Sequence, residues 1–292
     1  MWIRQQKAAV VANGPQRPLC EGELEGWVRA LAHPRHFWAE RSENRRIGDV
    51  IAEELGRIGF RVEAKGPYRN IVALPREEGR PCTLVCAHYD SVPGSPGADD
   101  NASGVAVMLA CARHVAASRV AYAHVGFVAF NAEEDGLLGS REFVTYGLPE
   151  LRMTVEMVHV LEMCGYRAFH KGSQLGPLPP RLLGIDAGTF IAMIGRGASN
   201  RTVRKALGAE LASTVHRVGL ETTELASRAL PDLSRSDHAP FWSANIPAVL
   251  WTDTGNFRNP NYHRASDTPE TLDYRFMADV TKLVCRLLER DP

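Results

Sequence analysis

The stretch HYDSVPGSPGADDNASG, from His88 to Gly104, follows an apolar run, Thr83 to Ala87, that is typical of a buried strand. It ends where a helix of small and apolar residues, predicted over 102–115, begins. The loop between them holds one histidine, three carboxylates, three glycines and two prolines, and it is too rigid for a linker. Open α/β sheets usually bind ligands at the carboxyl ends of central strands, so His and Asp at this spacing indicate metal ligands.

Two later apolar runs also end in acidic residues. Residues 125–130 lead into Glu133 and Glu134, and residues 155–161 are followed by Glu162. Because the carboxyl ends of parallel strands meet at one edge of a sheet, we expect these side chains to lie close together. Carboxylates at the mouth of an apolar sheet repel one another, and a divalent cation removes that cost. The sequence therefore predicts a metal site and not a bare pair of acids.

The glutamate pair and the first histidine suggest a division of roles. Adjacent residues point in different directions, so only one member of the pair Glu133-Glu134 is expected to bind a given metal. The other can reach a water molecule and act as a general base. His88 and Asp90 are two positions apart and share a face if the strand geometry continues. Asp90 is then placed to orient His88 through the other ring nitrogen.

The rest of the chain alternates predicted helices with predicted strands. Hydrophobic spacing predicts helices over 21–32, 44–58, 138–146, 200–219 and 269–288, and strands over 60–64, 70–74, 190–194 and 247–252. Asn44 or Ser42 is expected to cap the second helix, and Asp267 or Thr268 the last one. Alternation of this kind predicts an α/β fold with a mostly parallel sheet.

No low-complexity linker and no internal repeat divides the chain. We therefore expect a single domain over residues 21–292, preceded by an N-terminal arm over residues 1–20 that carries little pattern. Residues 165–188 are rich in glycine and proline and are expected to form an irregular excursion over the surface.

Composition narrows the class of function. The chain has 292 residues, 45% of them apolar, and 34 basic side chains balance 34 acidic ones, which argues against a nucleic-acid partner. No apolar run approaches the roughly 20 residues that span a membrane, so no membrane partner is expected. The apolar run at residues 8–12 is shorter than the roughly 7–15 residues of a signal-peptide core. We expect a cytoplasmic protein, or a secreted one if a signal peptide was trimmed.

The six cysteines are scattered through predicted strands and helices at positions Cys20, Cys82, Cys86, Cys111, Cys164 and Cys285. We interpret them as reduced core residues. Cys82 and Cys86 share one face of a strand, which leaves a zinc site as the alternative. That alternative is the weaker one, because no second pair follows at metal-binding spacing.

Five motifs with fitting spacing carry a specific resemblance. In order, they are HYDSV (88–92), PGADDNASG (96–104), EEDGLLGS (133–140), SDHAPF (236–241) and NPNYH (259–263). Together they resemble the co-catalytic di-zinc aminopeptidases of the bacterial leucine aminopeptidase and aminopeptidase Y type, over roughly residues 45–285. The resemblance implies the zinc-exopeptidase fold, in which a central mixed, mostly parallel sheet lies between two layers of helices.

The same resemblance implies two zinc ions and assigns their ligands. His88, Asp100 and Glu162 match the ligands of one metal. Asp100, Glu134 and His263 match those of the other, so that Asp100 bridges the two. Glu133 matches the general base, and the peptide bond between Asp100 and Asn101 is expected to be cis.

The implied activity is removal of N-terminal amino acids from peptides or small aminoacyl compounds. Glu133 would activate a water that bridges the zinc ions and then pass the proton to the leaving amine. One zinc would polarise the scissile carbonyl, and the other could hold the free α-amine, which would limit cleavage to one residue at a time. The sequence does not identify the preferred N-terminal residue or the oligomeric state.

One departure from the family pattern keeps two alternatives open. Many members have Asp where this chain has Glu162, so that metal could bind more weakly or be lost. Glutaminyl cyclases share the fold and use a single zinc, and Asp100, Glu134 and His263 match their ligands. Against a cyclase, Ser236 stands where those enzymes typically have an acid, and their usual insertion after Glu134 is missing. An inactive binding domain of the same fold is the third possibility, although every ligand position here holds a competent residue.

Several further residues lie in or near these motifs. Trp251, Phe257 and Tyr262 are candidates to line the pocket for the substrate's N-terminal side chain. His238 is expected to be structural and not a ligand, and Asp99 is expected to stabilise its loop. A serine hydrolase is excluded, because no Gly-x-Ser-x-Gly motif follows a strand.

Overall fold

The computed structural model describes residues 1–6, 21–117, 122–176, 185–210 and 215–289. Its centre is a mixed sheet with nine strands in these ranges: β1 (Trp2–Gln6), β2 (Val62–Lys65), β3 (Asn70–Ala73), β4 (Cys82–His88), β5 (Val125–Phe130), β6 (Val155–Glu162), β7 (Phe190–Arg196), β8 (His216–Thr222) and β9 (Ala248–Thr252). Across the sheet they lie in the order β1-β8-β7-β9-β6-β4-β5-β3-β2.

Four neighbouring strands in the middle of the sheet, β9, β6, β4 and β5, run parallel to one another. Every residue of β4 and β5 is buried, as expected for parallel strands that are covered on both faces. Strands β3 and β2 extend one side in antiparallel fashion. On the other side β7 is antiparallel to β9, β8 is parallel to β7, and β1 is antiparallel to β8.

Helices cover both faces of this sheet. In the described ranges they are α1 (Glu21–Leu31), α2 (Arg41–Ile58), α3 (Gly104–Ala117), α4 (Leu138–Glu142), α5 (Leu148–Glu150), α6 (Asn200–Gly208), α7 (Glu224–Ala229), α8 (His238–Ser243) and α9 (Tyr274–Leu288). A π-helical turn over Phe143–Gly147 joins α4 to α5. Helices α1, α2, α3, α6 and α9 contribute to one core, and the α4–α5 segment and α8 to the other. The predicted three-layer α/β fold is confirmed.

The helix predicted over residues 200–219 is wrong in its second half. Helix α6 ends at Gly208, and residues 216–222 form β8 between β7 and β1. Val218 is buried by contacts with both neighbouring strands, so cross-strand packing and not helical periodicity determines this segment. Residues 211–214 lie outside the described ranges.

The predicted helix caps are also wrong. Helix α2 begins at Arg41, and the Asn44 side chain donates to the carbonyl oxygen of Arg35 instead of capping the helix. Helix α9 begins at Tyr274 and is capped by Asp273, whose carboxylate accepts from the Phe276 backbone amide. Asp267 and Thr268 therefore do not cap that helix, and Asp267 has another role described below.

The N-terminal residues contribute to the sheet. Trp2–Gln6 form β1, a strand that the sequence did not predict, and residues 7–20 of the predicted arm lie outside the described ranges. No helix within the described residues is long and apolar enough to span a membrane. The five cysteines in these ranges are buried and form no disulfide, and Cys20 lies outside them.

Candidate metal centre

Three adjacent parallel strands bring the predicted site residues together. His88 is the last residue of β4, and Glu162 is the last residue of the neighbouring β6. Glu133 and Glu134 follow the end of β5, on the other side of β4. The strand-end argument from the sequence therefore places these four side chains correctly.

Two loops supply the remaining donors. Asp100 lies in a helical turn, Ala98–Ser103, that precedes α3, and its peptide bond to Asn101 is cis, as the resemblance implies. His263 lies in the loop between β9 and α9, with a left-handed backbone conformation (φ 59°). Both loops fold over the carboxyl end of the sheet.

The first set of donor atoms surrounds His88. Its Nε2 atom lies 3.3 Å from Oδ1 of Asp100 and 3.4 Å from Oε2 of Glu162. His88 is 1% exposed and Asp100 is 4% exposed. These three residues could hold one metal ion.

The second set surrounds His263. Its Nε2 atom lies 3.1 Å from Oδ2 of Asp100 and 3.3 Å from Oε2 of Glu134. Asp100 thus directs one carboxylate oxygen to each set, which is the arrangement of a bridging ligand. Within each set the donor atoms all lie within 4.8 Å of one another.

The donor atoms of both sets fit zinc. Zn–N and Zn–O bonds of about 2.0–2.2 Å in a tetrahedron separate neighbouring ligand atoms by roughly 3.3–3.5 Å. The distances from the two Nε2 atoms, 3.1–3.4 Å, lie at or close to this separation. They are longer than the usual N–H···O distance of about 2.9–3.0 Å. Oε1 of Glu134 is buried and has no hydrogen-bond partner among the described residues, which leaves it available to a cation.

The protonation states show how strongly this cluster favours a cation. Burial alone would lower the pKa of His88, but the charges of Glu162 and Glu133 raise it well above its ordinary value. The pKa of His263 is raised to about 10, because its contacts with Asp100 and Glu134 outweigh its burial. Positive charge is thus held on both histidines where a metal would otherwise supply it.

The pKa values of the two glutamates are also raised, and for a carboxyl group this favours the neutral form. Burial and the charge of Asp100 raise the pKa of Glu134 to about 7. Burial also raises the pKa of Glu133 well above its ordinary value, and the neighbouring charges of Glu162 and Glu134 add to the shift. Each of these two glutamates is costly to ionise without nearby positive charge.

Asp90 connects the two sides of the site. One of its carboxylate oxygens lies 3.3 Å from Nδ1 of His88 and also accepts from the backbone amide of Glu133 at 3.2 Å. The other accepts from the backbone amide of Glu134 at 3.1 Å. Asp90 is fully buried. Its position matches the orienting role predicted for it, and it also fixes the backbone of the glutamate pair.

Two residues that the sequence did not assign to the site hold the Asp100 loop. The carboxylate of Asp267 accepts from the backbone amides of Asp99 and Asp100, at 2.9 and 3.1 Å. Arg35 is fully buried and donates to the carbonyl oxygens of His33, Tyr89, Pro96 and Gly97. The signal for Arg35 was only an arginine in a break between helices, which is too common to be diagnostic.

Asp99 lies where its predicted scaffold role requires. Its side chain is fully buried and accepts from the Ser103 hydroxyl, the Gly165 backbone amide and the Asn259 side-chain amide. These bonds connect the loop to residues after β6 and to the loop before His263. Ser236, from another motif, donates to Oε2 of Glu162 at 2.7 Å.

A cavity of about 520 Å³ opens beside these donors and has Asp100, Glu133, Glu134 and Glu162 in its wall. Phe257 and Tyr262 line it, as predicted, and the Tyr262 ring stacks on His263 with a centroid distance of 3.7 Å.

The prediction for Trp251 is wrong. Its side chain is fully buried in the core on the opposite face of the sheet, where its Nε1 atom donates to Nδ1 of His159 at 3.1 Å. Its neighbours on β9, Leu250 and Thr252, line the cavity instead, because alternate residues of a strand point to opposite faces. His238 is buried and its Nε2 contacts the carbonyl oxygen of Leu233, consistent with a structural role.

The predicted donors and the predicted general base all lie within the part of the chain that matches a known protein family. Residues 70–288, three quarters of the chain, match peptidase family M28, so the chain belongs to that family. The family-level resemblance inferred from the five motifs is confirmed.

Two related proteins are similar to this chain over most of its length. The uncharacterized protein YfbL of Escherichia coli (strain K12) is 36% identical over 286 residues, which cover 91% of this chain and 87% of that protein. Aminopeptidase YwaD of Bacillus subtilis (strain 168) is 32% identical over 222 residues, which cover 74% of this chain. The same 222 residues cover only 43% of YwaD, so the chain spans less than half the length of that aminopeptidase.

Solved structures share the fold. The LapA aminopeptidase of Legionella pneumophila superposes with a TM-score of 0.71 at 18% identity, covering 92% of this chain and 71% of LapA. Glutaminyl cyclases of known structure have the same architecture at similarly low identity. At this distance the likeness shows the fold alone.

Proposed function

We propose that the protein is a zinc aminopeptidase that hydrolyses the peptide bond after the N-terminal residue of its substrate. The observation that carries this proposal is the pair of donor sets that share Asp100, one oxygen to each set. Glu133, a buried carboxylate outside both sets, lies in the wall of the same cavity. Membership of peptidase family M28 supports the reaction class.

His88, Asp100 and Glu162 would hold one zinc ion, and Asp100, Glu134 and His263 would hold the other. Zinc at these positions supplies a Lewis acid for the scissile carbonyl and lowers the pKa of water. Ser236 fixes Oε2 of Glu162, and so restrains a side chain that is one methylene longer than the aspartate common in the family.

Glu133 is the proposed general base. Its backbone amide is bound by Asp90, which fixes the start of the side chain that reaches into the cavity. The carboxylate takes a proton from water as the water oxygen bonds to the scissile carbonyl carbon. As the C–N bond breaks, the same carboxyl group delivers that proton to the leaving amine. Nearby positive charge would lower the pKa of Glu133 and keep it ionised for the first of these steps.

The experiment is an assay of zinc-loaded protein with aminoacyl p-nitroanilides and with a peptide that begins with glutamine. We expect release of p-nitroaniline, about two zinc ions per chain, and a loss of about 10²–10⁴-fold in kcat for Glu133→Ala at nearly unchanged zinc content. Glu78→Ala is the control, since the Glu78 side chain is 87% exposed. Cyclisation of the glutamine peptide with one zinc per chain would indicate a cyclase. No turnover of either substrate with zinc bound would indicate a binding domain.

A further inference from the structure

The cavity beside the metal centre runs across the sheet, away from the catalytic residues. Its floor follows two rows of residues that are paired across adjacent strands. One row starts at Glu162 and continues through Thr252, Ala192 and Val218. The next row continues from Leu250 through Ile194 and Leu220 to Ile3. Apart from Glu162 and Thr252, the residues of both rows are apolar, and all of them line the cavity.

Next to the metal centre, small side chains form the floor of the cavity. Thr252 and Ala192, the two residues that follow Glu162 in its row, have small side chains. A group that projects from the metal centre along this row therefore meets no large side chain of the row before Val218. Loop residues Leu175, Ile185 and Leu233 add apolar wall on the sides.

The length of the cavity exceeds what a small side chain fills. From β6 to β1 the sheet order spans four inter-strand spacings, or about 19 Å at about 4.8 Å each. The volume of about 520 Å³ lies in the range of pockets that enclose a whole small ligand. Ile3 is on the strand farthest from the metal centre, so the N-terminal strand closes the far end.

We propose that this cavity binds the side chain of the substrate's N-terminal residue, and that it selects long apolar side chains that extend beyond the size of leucine. The metal centre at one end suits the α-amino group, and the apolar floor suits a hydrocarbon that leads away from it. The inference rests on the proposed aminopeptidase function, because only that function places a free α-amine and its side chain at the metal centre.

The test uses a homologous series of p-nitroanilides of alanine, norleucine, 2-aminooctanoic acid and 2-aminodecanoic acid. We expect kcat/KM to rise along the series beyond norleucine, by up to about fourfold per methylene that leaves water. A maximum at alanine or norleucine would overturn the inference, while hydrolysis itself would leave the proposed function intact.

Two substitutions at different distances from the metal centre test how far along the cavity the substrate side chain reaches. Ala192→Phe fills the floor near the middle of the cavity, and Ile3→Trp fills its far end. We expect the chain length at which kcat/KM stops rising to shorten in both variants, and to shorten more in Ala192→Phe. Trp2→Ala is the matched control, because Trp2 is 73% exposed on the neighbouring position of the same strand. An unchanged optimum in both cavity variants would overturn the inference.

A binding measurement separates the two proposals. Calorimetric titration of the zinc-loaded protein with hexylamine, octylamine and decylamine does not depend on catalysis, because these amines contain no peptide bond. We expect affinity to rise with chain length and to fall at least tenfold for decylamine in Ala192→Phe and in Ile3→Trp. Tight alkylamine binding without hydrolysis of any anilide would refute the proposed function, and with it the assignment of the cavity to a substrate side chain, and only the affinity for long apolar chains would stand. Hydrolysis without length-dependent binding would overturn the inference and leave the proposed function intact.

Discussion

Asp90 couples the orientation of a metal ligand to the position of the general base. Its buried carboxylate faces the Nδ1 atom of His88 and accepts hydrogen bonds from the backbone amides of Glu133 and Glu134. An amide in its place has only one acceptor oxygen, so one of the two backbone amides would face an NH₂ group. We expect Asp90→Asn to lower zinc affinity or kcat by about 10–100-fold.

Competition with a zinc-sensitive dye measures the affinity change, and the anilide assay measures kcat and KM separately. A positioning role predicts that kcat falls more than 1/KM. Asp49→Asn is the control, since Asp49 is an exposed carboxylate on α2 that pairs with Arg69. If Asp90→Asn behaves like Asp49→Asn, the carboxylate of Asp90 does not position the site.

Among the described residues no carboxylate contacts Arg35 directly, although Arg35 is fully buried. Its guanidinium group donates to four backbone carbonyl oxygens, three of them in the loop that links β4 to Asp100. Burial lowers its pKa to about 10, and the charges of Asp90, Asp267 and Asp100 oppose that shift, so it stays charged at neutral pH. The cation therefore fixes the loop and offsets the acids of the metal centre.

We expect Arg35→Met to lower the free energy of unfolding by roughly 4 kcal/mol, since four carbonyl groups each lose about 1 kcal/mol or more. Urea unfolding of the zinc-loaded protein measures the change. Arg45→Met, on the exposed face of α2, is the matched substitution and should change stability by less than about 0.5 kcal/mol. A difference of less than about 1 kcal/mol between the variants would refute the role given to Arg35.

At the scale of elements, the position of α3 against β6 sets the geometry of the donors. The Asn101 side chain donates to the Leu161 carbonyl oxygen and accepts from the backbone amides of Gly104 and Met163. This side chain fastens the start of α3 to the end of β6, so Asp100 and Glu162 are held at a fixed separation.

Gly104 makes that close approach possible. A Cβ atom there would lie 2.3 Å from Oδ1 of Asn101 and 2.6 Å from the carbonyl oxygen of Leu161. We expect Gly104→Ala to destabilise the fold by about 1–3 kcal/mol and to weaken zinc binding, because α3 must move away from β6. Gly56→Ala, in α2, should instead stabilise it by about 0.5–1 kcal/mol, since no described atom beyond its chain neighbours and its own helix backbone lies within 4 Å of the added methyl. Thermal unfolding compares the two, and equal shifts would contradict the packing argument.

The sequence predicts elements well where periodicity and burial agree. The strands that end at His88 and Glu162 are short apolar runs bounded by polar residues, and they lie where predicted. Strand β8 was missed because its apolar residues continue the spacing of α6, and only pairing with β7 and β1 defines it as a strand. The sequence predicts the wrong face for Trp251 because the run from Ala248 to Trp251 is apolar at every position, which hides the alternation.

The sequence predicts the donors of the metal centre but not the residues that hold the Asp100 loop in place. His88, Glu134 and Glu162 are at strand ends that a parallel sheet must bring together. The loop pattern indicates an aspartate ligand, but only the motif resemblance selects Asp100 among its carboxylates and identifies His263, since loops carry no periodic signal. Arg35 and Asp267 act through backbone atoms of the Asp100 loop, and no residue pattern announces such contacts.

At the scale of the whole molecule, one sheet serves two purposes. Its middle strands, β6, β4 and β5, end in the polar residues of the metal centre, and the strands beyond β9 provide the apolar floor of the cavity. Strands β9 and β7 are antiparallel, so the carboxyl end of β9 adjoins the amino-terminal part of β7. Because of this pairing, β7 continues the floor next to Thr252 without adding another carboxyl strand end to the donor cluster.

The core on the opposite face predicts how stability depends on pH. His159 is buried, and Nδ1 accepts from Trp251; burial lowers its pKa from 6.5 to about 4. Between pH 6.5 and 4 the unfolded chain binds a proton at this residue that the folded chain does not, so stability falls as the solution becomes more acidic. Asp237 and Asp253, with pKa values raised to about 7 and about 6, act in the opposite direction. The test is therefore a difference between variants and not the shape of one curve.

His159→Gln removes the titrating group and keeps an acceptor near Trp251. We expect the variant to lose less stability than the wild type between pH 6.5 and pH 4, by up to about 3 kcal/mol at about 1.4 kcal/mol per pKa unit. Urea unfolding with a chelator present measures both proteins, so that release of metal in acid contributes to neither. His33→Gln, at a side chain that is 50% exposed, is the control for the substitution itself and should change stability by less than about 0.5 kcal/mol. Parallel stability curves for His159→Gln and the wild type would show that His159 does not stay neutral in the folded core.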